Sequence, residues 1–186
     1  MKLPEIVTLI SERRIRRRVA ELGREISAHY RNKHLTVIFI SNGALVLAAD
    51  LIRNINLPMQ LDSISASSYK GTESSGSVTM GTGVKVDIRN RHVLIVDDIL
   101  DTGRTLTEAV SAVEKYNSKD IRTCVLLDKA SKRIIPLKAD FVGFEIPDVF
   151  VVGYGLDYNG YCRNLPFIGR FRKVNIDKHI LRMIDR

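Results

Sequence analysis

The chain has 186 residues, 45% hydrophobic and 27% charged, a composition that fits one globular domain over 1–186 and excludes disordered, fibrous and repeat proteins. Cys124 and Cys162 are too few for a disulfide framework and lack partners at zinc-ligand spacing, which points to reduced thiols and a cytoplasmic setting. The net charge of +8 comes from the ends: Lys and Arg outnumber Asp and Glu by nine to four in residues 1–35 and by six to two in 168–186, whereas the body is nearly neutral, so a basic nucleic-acid groove through it is not supported.

The first residues carry acidic side chains and no small-residue cleavage site, so no signal peptide is expected. From Ser11 the apolar residues Ile15, Val19, Leu22 and Ile26 recur at helical spacing among Arg13, Arg14, Arg16, Arg17, Arg18 and Arg24. The spacing predicts an amphipathic helix on the outside of the domain with a basic face, either simply solvated or able to touch RNA or an anionic membrane. The apolar run 35–40 follows, then a helix from about Ala44 carrying Ala48, Leu51 and Ile52. The uncharged stretch Leu35 to Ala49 is too short to span a membrane, which takes about 20 residues.

Residues 70–81 are eight parts Gly, Ser or Thr in twelve and lack apolar periodicity, which predicts a long loop and, functionally, a lid. Further on come the run 92–98, a helix carrying Leu106, Ala109, Val110 and Val113, and the runs 123–127 and 141–146. Strand-like runs without polar alternation, separated by helices, predict an α/β fold with a mainly parallel sheet flanked by helices. The Gly-, Tyr- and Pro-rich segment from Ile146 to Gly169 predicts a small hood over one end of that sheet, extended to about 146–186 with part of the N-terminus.

Chemistry concentrates in VLIVDDILDTGRTL, residues 93–106. A buried strand delivers Asp97 and Asp98 at its carboxyl end, a turn follows through Asp101, Thr102 and Gly103, and a helix opens at Arg104 or Thr105. Ligands bind at such a strand end in open α/β sheets. Gly103 lets the backbone approach a ligand, so the N–H groups of 101–105 and the Thr102 and Thr105 hydroxyls can cradle a phosphate at the positive helix end. Asp97 and Asp98 accept hydrogen bonds only, which suits a vicinal diol or the waters of a bound Mg²⁺. Strand alternation points them to opposite faces, hence to different tasks. One aspartate would suffice to cap the helix, whereas three carboxylates in five residues repel one another and call for a cation or a donor-rich ligand. No GxxxxGK[ST] loop and no GxGxxG step competes with this reading.

VLIVDDILDTGRTL resembles the 5-phosphoribosyl-1-diphosphate (PRPP) motif of the type I phosphoribosyltransferases. The segments 42–51, 66–69, 126–133 and 140–169 resemble that family's hypoxanthine-guanine branch. The resemblance implies the type I phosphoribosyltransferase fold with a small hood, a lid over about 68–82 led by Ser68 and Tyr69, and Mg²⁺-dependent transfer of phosphoribose from PRPP to N9 of a 6-oxopurine. The products would be IMP or GMP and pyrophosphate, the setting purine salvage, and the assembly a homodimer or homotetramer.

Residue by residue, it implies that Asp97 and Asp98 bind the ribose hydroxyls and help hold the metal, and that 101–105, Arg104 included, hold the 5′-phosphate. Asp101 would act as general acid/base near purine N7. Lys129 would donate to O6, Phe150 would stack on the base and Val151 would offer backbone groups to its edge. Asp157 would bind Mg²⁺ beside the purine, and Arg163 would face pyrophosphate. Where the family has an apolar-Lys-Gly step with a non-proline cis peptide, this chain has Ser41-Asn42-Gly43; the backbone role toward pyrophosphate is expected to survive without the lysine contact, with weaker PRPP affinity. An RNA-binding regulator on the same fold, suggested by the basic helix, is the alternative, against which Lys129, Phe150 and Asp157 all count.

Overall fold

The computed structural model describes residues 5–68, 78–80 and 83–172. Its elements in chain order are β1 (Ile6–Ile10), α1 (Glu12–His29), β2 (Leu35–Ser41), α2 (Leu45–Ile52), β3 (Met59–Ser68) and β4 (Val78–Met80). There follow β5 (His92–Leu100), α3 (Arg104–Glu114), β6 (Asp120–Asp128), a 3-10 turn at Ala130–Lys132, β7 (Phe141–Glu145) and β8 (Ile168–Phe171). The main sheet has the order β4-β3-β2-β5-β6-β7 and is parallel throughout except for β4, which runs antiparallel beside β3.

The central strands are buried on both faces, which is why they read as apolar runs without alternation. In β2, Leu35 and Val37 join the core beneath α1 and α2, whereas Ile38 and Ile40 join the core beneath α3. In β5, Leu94 and Val96 share the first core while Val93 and Ile95 share the second. The helices meet these cores along their apolar faces, through Ile15, Val19, Leu22 and Ile26 of α1, Leu47 and Leu51 of α2, and Leu106, Ala109 and Val113 of α3. Cys124 and Cys162 are buried free thiols, and burial pushes the Cys124 thiol up to about 12.

The basic face of α1 is largely exposed, as expected, with Arg18 partly buried against β7. Arg18 donates to the carbonyls of Val142 and Gly143 at 2.9 and 3.2 Å and pairs with Glu25 at 2.7 Å, while Arg14 lies over the Phe144 ring at 5.7 Å. These arginines pin α1 across β7. Arg16 pairs with Glu12 and Arg17 with Glu21 one turn away.

Four strands escape the periodicity argument. β3 is rich in Ser and carries Asp62, whose carboxylate accepts the N–H groups of Lys85 and Val86 at 2.6 and 3.1 Å; its place between β2 and β4 outweighs a poor strand composition. β4 falls inside the stretch expected to be a loop throughout: Ser68 pairs with Val78, Ser67 with Thr79 and Ala66 with Met80, so 78–80 is strand rather than loop. β1 and β8, from opposite ends of the described chain, form a two-stranded antiparallel sheet beside the hood segment that starts at Ile146. Val152 and Gly169 exchange two backbone hydrogen bonds of 2.9 Å there, and the Tyr154 hydroxyl donates to Asp50 of α2 at 2.5 Å, which fastens the hood to the domain.

No helix of the described residues is long and apolar enough to cross a membrane.

Candidate active site

Parallel strands end together, so Ser41 of β2, Leu100 of β5, Asp128 of β6 and Glu145 of β7 bring their following loops to one edge of the sheet. A cavity of about 300 Å³ opens there. It is lined by Ser41, Asn42 and Gly43, by Asp97, Asp98 and Asp101, by Thr102, Gly103 and Thr105, and from the hood by Asp157 and Arg163. Ile40, Ile99, Leu100 and Leu106 complete its wall.

The loop after β5 has the form its sequence implies. Gly103 takes φ +93°, a left-handed conformation that glycine adopts without penalty, and caps α3. A side chain there would also crowd Ile135 O, 3.2 Å from an ideal Cβ. The Thr102 carbonyl accepts hydrogen bonds from both Ile134 N–H and Ile135 N–H at 3.0 Å, so the segment after β6 holds the loop from behind. The first turn of α3, whose N–H groups have no intrahelical partners, therefore opens onto the cavity.

Asp97 and Asp98, neighbours in β5, meet at one cavity. Both line the cavity, because it lies beyond the strand's carboxyl edge, where side chains from either face can reach it. Asp97 is 5% exposed, and its Oδ1 accepts the Asp98 N–H at 2.9 Å. Burial, with the Asp98 charge second, holds the Asp97 carboxyl well above the usual carboxylate range. Burial also raises Asp98, against which its hydrogen bonds and the Arg163 charge work. Two carboxyls in this state are poised to gain from a donor-rich or cationic ligand.

Across the cavity the Ser41–Asn42 peptide bond is cis. Gly43 follows, packed so closely against Asp98 that any side chain would overlap the carboxylate, and Gly155 of the hood packs equally closely onto the Gly43 carbonyl. The Gly155 carbonyl accepts from Arg163 Nη1 at 2.6 Å, Arg163 Nη2 pairs with Asp157 Oδ1 at 2.8 Å, and Asp157 Oδ2 accepts the Gly160 N–H at 2.7 Å. The hood thus presents an ordered arginine and carboxylate to the strand ends.

Lys129 lies at the rim, not in the wall. Its side chain is only 8% exposed, and Nζ stands 3.7 Å from Asp101 Oδ2 and 4.0 Å from Asp148 Oδ1, joining the loop after β5 to the hood. Asp101 Oδ1 is buried without a hydrogen-bond partner, a vacant acceptor beside that ammonium. Phe150 is 57% exposed, and Val151 is buried in the core beneath it. Neither Phe150, Val151 nor Arg104 lines the cavity. Ser68 closes β3, whereas Tyr69 and the remainder of the expected lid, apart from 78–80, lie outside the described residues.

The oxygen-rich set Asp97, Asp98 and Asp157 has the hard-donor chemistry that Mg²⁺ prefers. Among the described residues no cluster of three His, Cys, Asp or Glu side chains is arranged to hold a metal unaided.

Sequence reasoning passed over Ile99 and Leu100, which follow the paired aspartates and line the same cavity, and Gly155, whose contact with Gly43 joins residues far apart in the chain. It also passed over Asp128 and Arg133, a shielded ion pair behind the loop that follows β5. Ile99 and Leu100 sit inside the motif, between Asp98 and Asp101, and could have been found there; the fold shows the others.

The phosphoribosyl transferase domain family matches residues 8–159. The chain is 44% identical over 162 residues to hypoxanthine-guanine phosphoribosyltransferase of Bacillus subtilis (strain 168), covering 87% of this chain and 90% of that protein. Among solved structures, a hypoxanthine phosphoribosyltransferase from Staphylococcus aureus superposes with a TM-score of 0.86 at 37% identity, covering 92% of this chain and 94% of that one. The hypoxanthine phosphoribosyltransferase of Trypanosoma cruzi, in complex with the product IMP, gives 0.84 at 35% identity, covering 95% and 98%. With a strand-end cavity built on the PRPP motif and matches that span most of its length, the chain belongs to the phosphoribosyltransferase family, on its hypoxanthine-guanine branch.

Proposed function

We propose that the protein is a cytoplasmic purine salvage enzyme that transfers phosphoribose from PRPP to N9 of hypoxanthine or guanine, releasing pyrophosphate and IMP or GMP. The observation that carries this reading is the junction at Lys129: a nearly buried ammonium set 3.7 Å from Asp101 joins a phosphate cradle to a hood with an exposed aromatic ring. A site for a sugar phosphate alone would need no such junction.

In this reading the cradle of 101–105, with Arg104 at its helical end, binds the 5′-phosphate. Asp97 and Asp98 accept the ribose hydroxyls, donors that offset the burial raising both carboxyls. The backbone of Ser41, Asn42 and Gly43 and the Arg163 guanidinium take the diphosphate. Arg163 stabilises the charge that builds as the leaving group departs.

Asp97, Asp98 and Asp157 are the residues that would hold Mg²⁺. When bound, the ion supplies charge neutralisation of the diphosphate. Asp101 exchanges a proton with N7, for which its unpartnered Oδ1 is available. Lys129 gives base specificity, because a 6-amino group presents a donor where an ammonium needs an acceptor. Phe150 stacks on the purine, and Val151 meets its edge through main-chain groups.

The chain is taken to work as a homodimer or homotetramer. Nothing specific favours the RNA-binding alternative, and of the arginines that motivated it Arg18 is committed to Glu25 and the β7 carbonyls.

Lys129→Ala tests the proposal. Selective loss of 6-oxopurine use, with PRPP binding retained, is expected in assays across several bases; an unchanged base preference would remove Lys129 from recognition.

A further inference from the structure

Phe150 is the most exposed phenylalanine named in the site, at 57%. A ring that open would ordinarily sample several rotamers and lose that freedom when a flat ligand settled on it. Here two other rings restrict it. Phe171, the last residue of β8, lies nearly parallel to Phe150, with centroids 6.2 Å apart and planes inclined by 11°. Tyr158 meets Phe150 at 6.0 Å and 82°, and it meets Phe171 at 5.1 Å and 72°. All three spacings fall within the range of favourable aromatic pairs, about 4.5–7 Å, and each ring touches the other two.

The triangle does not depend on the local run of the chain around Phe150. Phe171 is fixed by β8, where it pairs with Ile6 of β1, and Arg172 N–H donates to the Glu5 carbonyl at 2.9 Å. Two residues before Phe171, Gly169 is bonded to Val152, two residues after Phe150. The same small sheet therefore supports both rings, and Tyr158 closes the third side from the loop that carries Asp157. Braced in this way, Phe150 still keeps more than half of its surface open to a ligand.

We propose that Phe171 and Tyr158 are positioning residues for the purine: they hold the Phe150 ring in its stacking pose before the base arrives. This rests on the reading of Phe150 as the stacking residue. The role extends base recognition to β8 and β1, elements far from the PRPP motif. Its signature is a base-binding defect that leaves PRPP binding alone, because no residue of the 101–105 cradle takes part in the triangle.

The test is steady-state kinetics with hypoxanthine and PRPP varied separately, together with thermal melting, for Phe171→Leu, Phe171→Tyr and Phe150→Leu. We expect F171L to raise the KM for hypoxanthine roughly three- to ten-fold, the span set by one lost aromatic pair, with kcat and the KM for PRPP within about two-fold of wild type. F171Y, which keeps the ring, should stay near wild type. If F150L weakens base binding and F171L does not, the brace is refuted while the stacking role stands. If F150L itself leaves the KM for hypoxanthine unchanged, the stacking role falls and takes the inference with it. A fall in kcat and a rise in both KM values for F171L would show a general structural role and overturn the inference. Should F171L fail to fold, Tyr158→Leu is read on the same KM for hypoxanthine, and an unchanged value there overturns it.

Discussion

Gly155→Ala strikes the contact that joins the hood to the end of the first parallel strand. Gly155 has φ +100°, and a Cβ there would overlap the Gly43 carbonyl oxygen, a backbone atom that cannot turn aside as a side chain could. Left-handed backbone at a residue with a Cβ costs about 1–2 kcal/mol. Moving the strands apart also strains two hydrogen bonds, from Gly155 N–H to the Arg163 carbonyl at 2.9 Å and from Arg163 Nη1 to the Gly155 carbonyl at 2.6 Å. Weakening a neutral and a charge-assisted bond adds about 2–3 kcal/mol, for a total of about 3–5 kcal/mol. At about 2–4 °C per kcal/mol for a chain of this size, the melting temperature should drop by about 6–20 °C. The displaced groups are Gly43, which adjoins the Ser41–Asn42 step, and Arg163, so the loss should fall on PRPP: its KM should rise roughly ten-fold, with a much smaller change for the base. Differential scanning fluorimetry and separate KM measurements read the two effects. A melting temperature within about 2 °C of wild type together with an unchanged KM for PRPP would refute the reasoning.

Further expectations concern the carboxylates and the segment behind them. Asp101→Asn should leave the KM for PRPP nearly unchanged while turnover falls roughly ten-fold or more in initial-rate assays; undiminished turnover would remove Asp101 from proton transfer. Because Asp97 is held above its unfolded pKa, the native state binds its proton more tightly, so this group lowers stability progressively as pH rises from about 4 through its raised value. His29, pushed below 6.5 by burial, works the other way, favouring the fold as pH rises toward 6.5. The check is therefore the difference between wild type and Asp97→Asn: melting from pH 5 to 8 should show the variant gaining on wild type as pH rises, and a constant difference would contradict the buried-carboxyl reading. Arg133→Met strands Asp128, whose side chain is 16% exposed, and should cost about 3–5 kcal/mol in denaturant unfolding, with much of the loss recovered on adding Asp128→Leu.

The strand-loop-helix over 93–113 was legible because its signals are local: an apolar run, a glycine at a left-handed position and a helix with 3.6-residue periodicity lie within a few residues of one another. α1, α2 and α3 were legible for the same reason. β3 and β4 were not, since a Ser-rich segment and a three-residue one become strands only when a neighbour supplies the hydrogen bonds, and β1 and β8 require pairing between distant parts of the chain. Alternation alone did not show that Asp97 and Asp98 line one cavity, because that cavity lies at the strand's carboxyl edge, where side chains from either face can reach it. The exposed basic face of α1 was legible in the spacing, but not that Arg18 donates to β7 carbonyls or that Arg14 lies over Phe144. The Gly43–Gly155 contact and the Phe150, Tyr158 and Phe171 triangle had no sequence signal at all.

The central claim is tested most directly by incubating the protein with PRPP and Mg²⁺ and, in turn, hypoxanthine, guanine, xanthine, adenine or uracil, while following nucleotide and pyrophosphate by chromatography. We expect stoichiometric nucleoside monophosphate and pyrophosphate with hypoxanthine or guanine and none with adenine or uracil. No product with any 6-oxopurine would contradict the assignment.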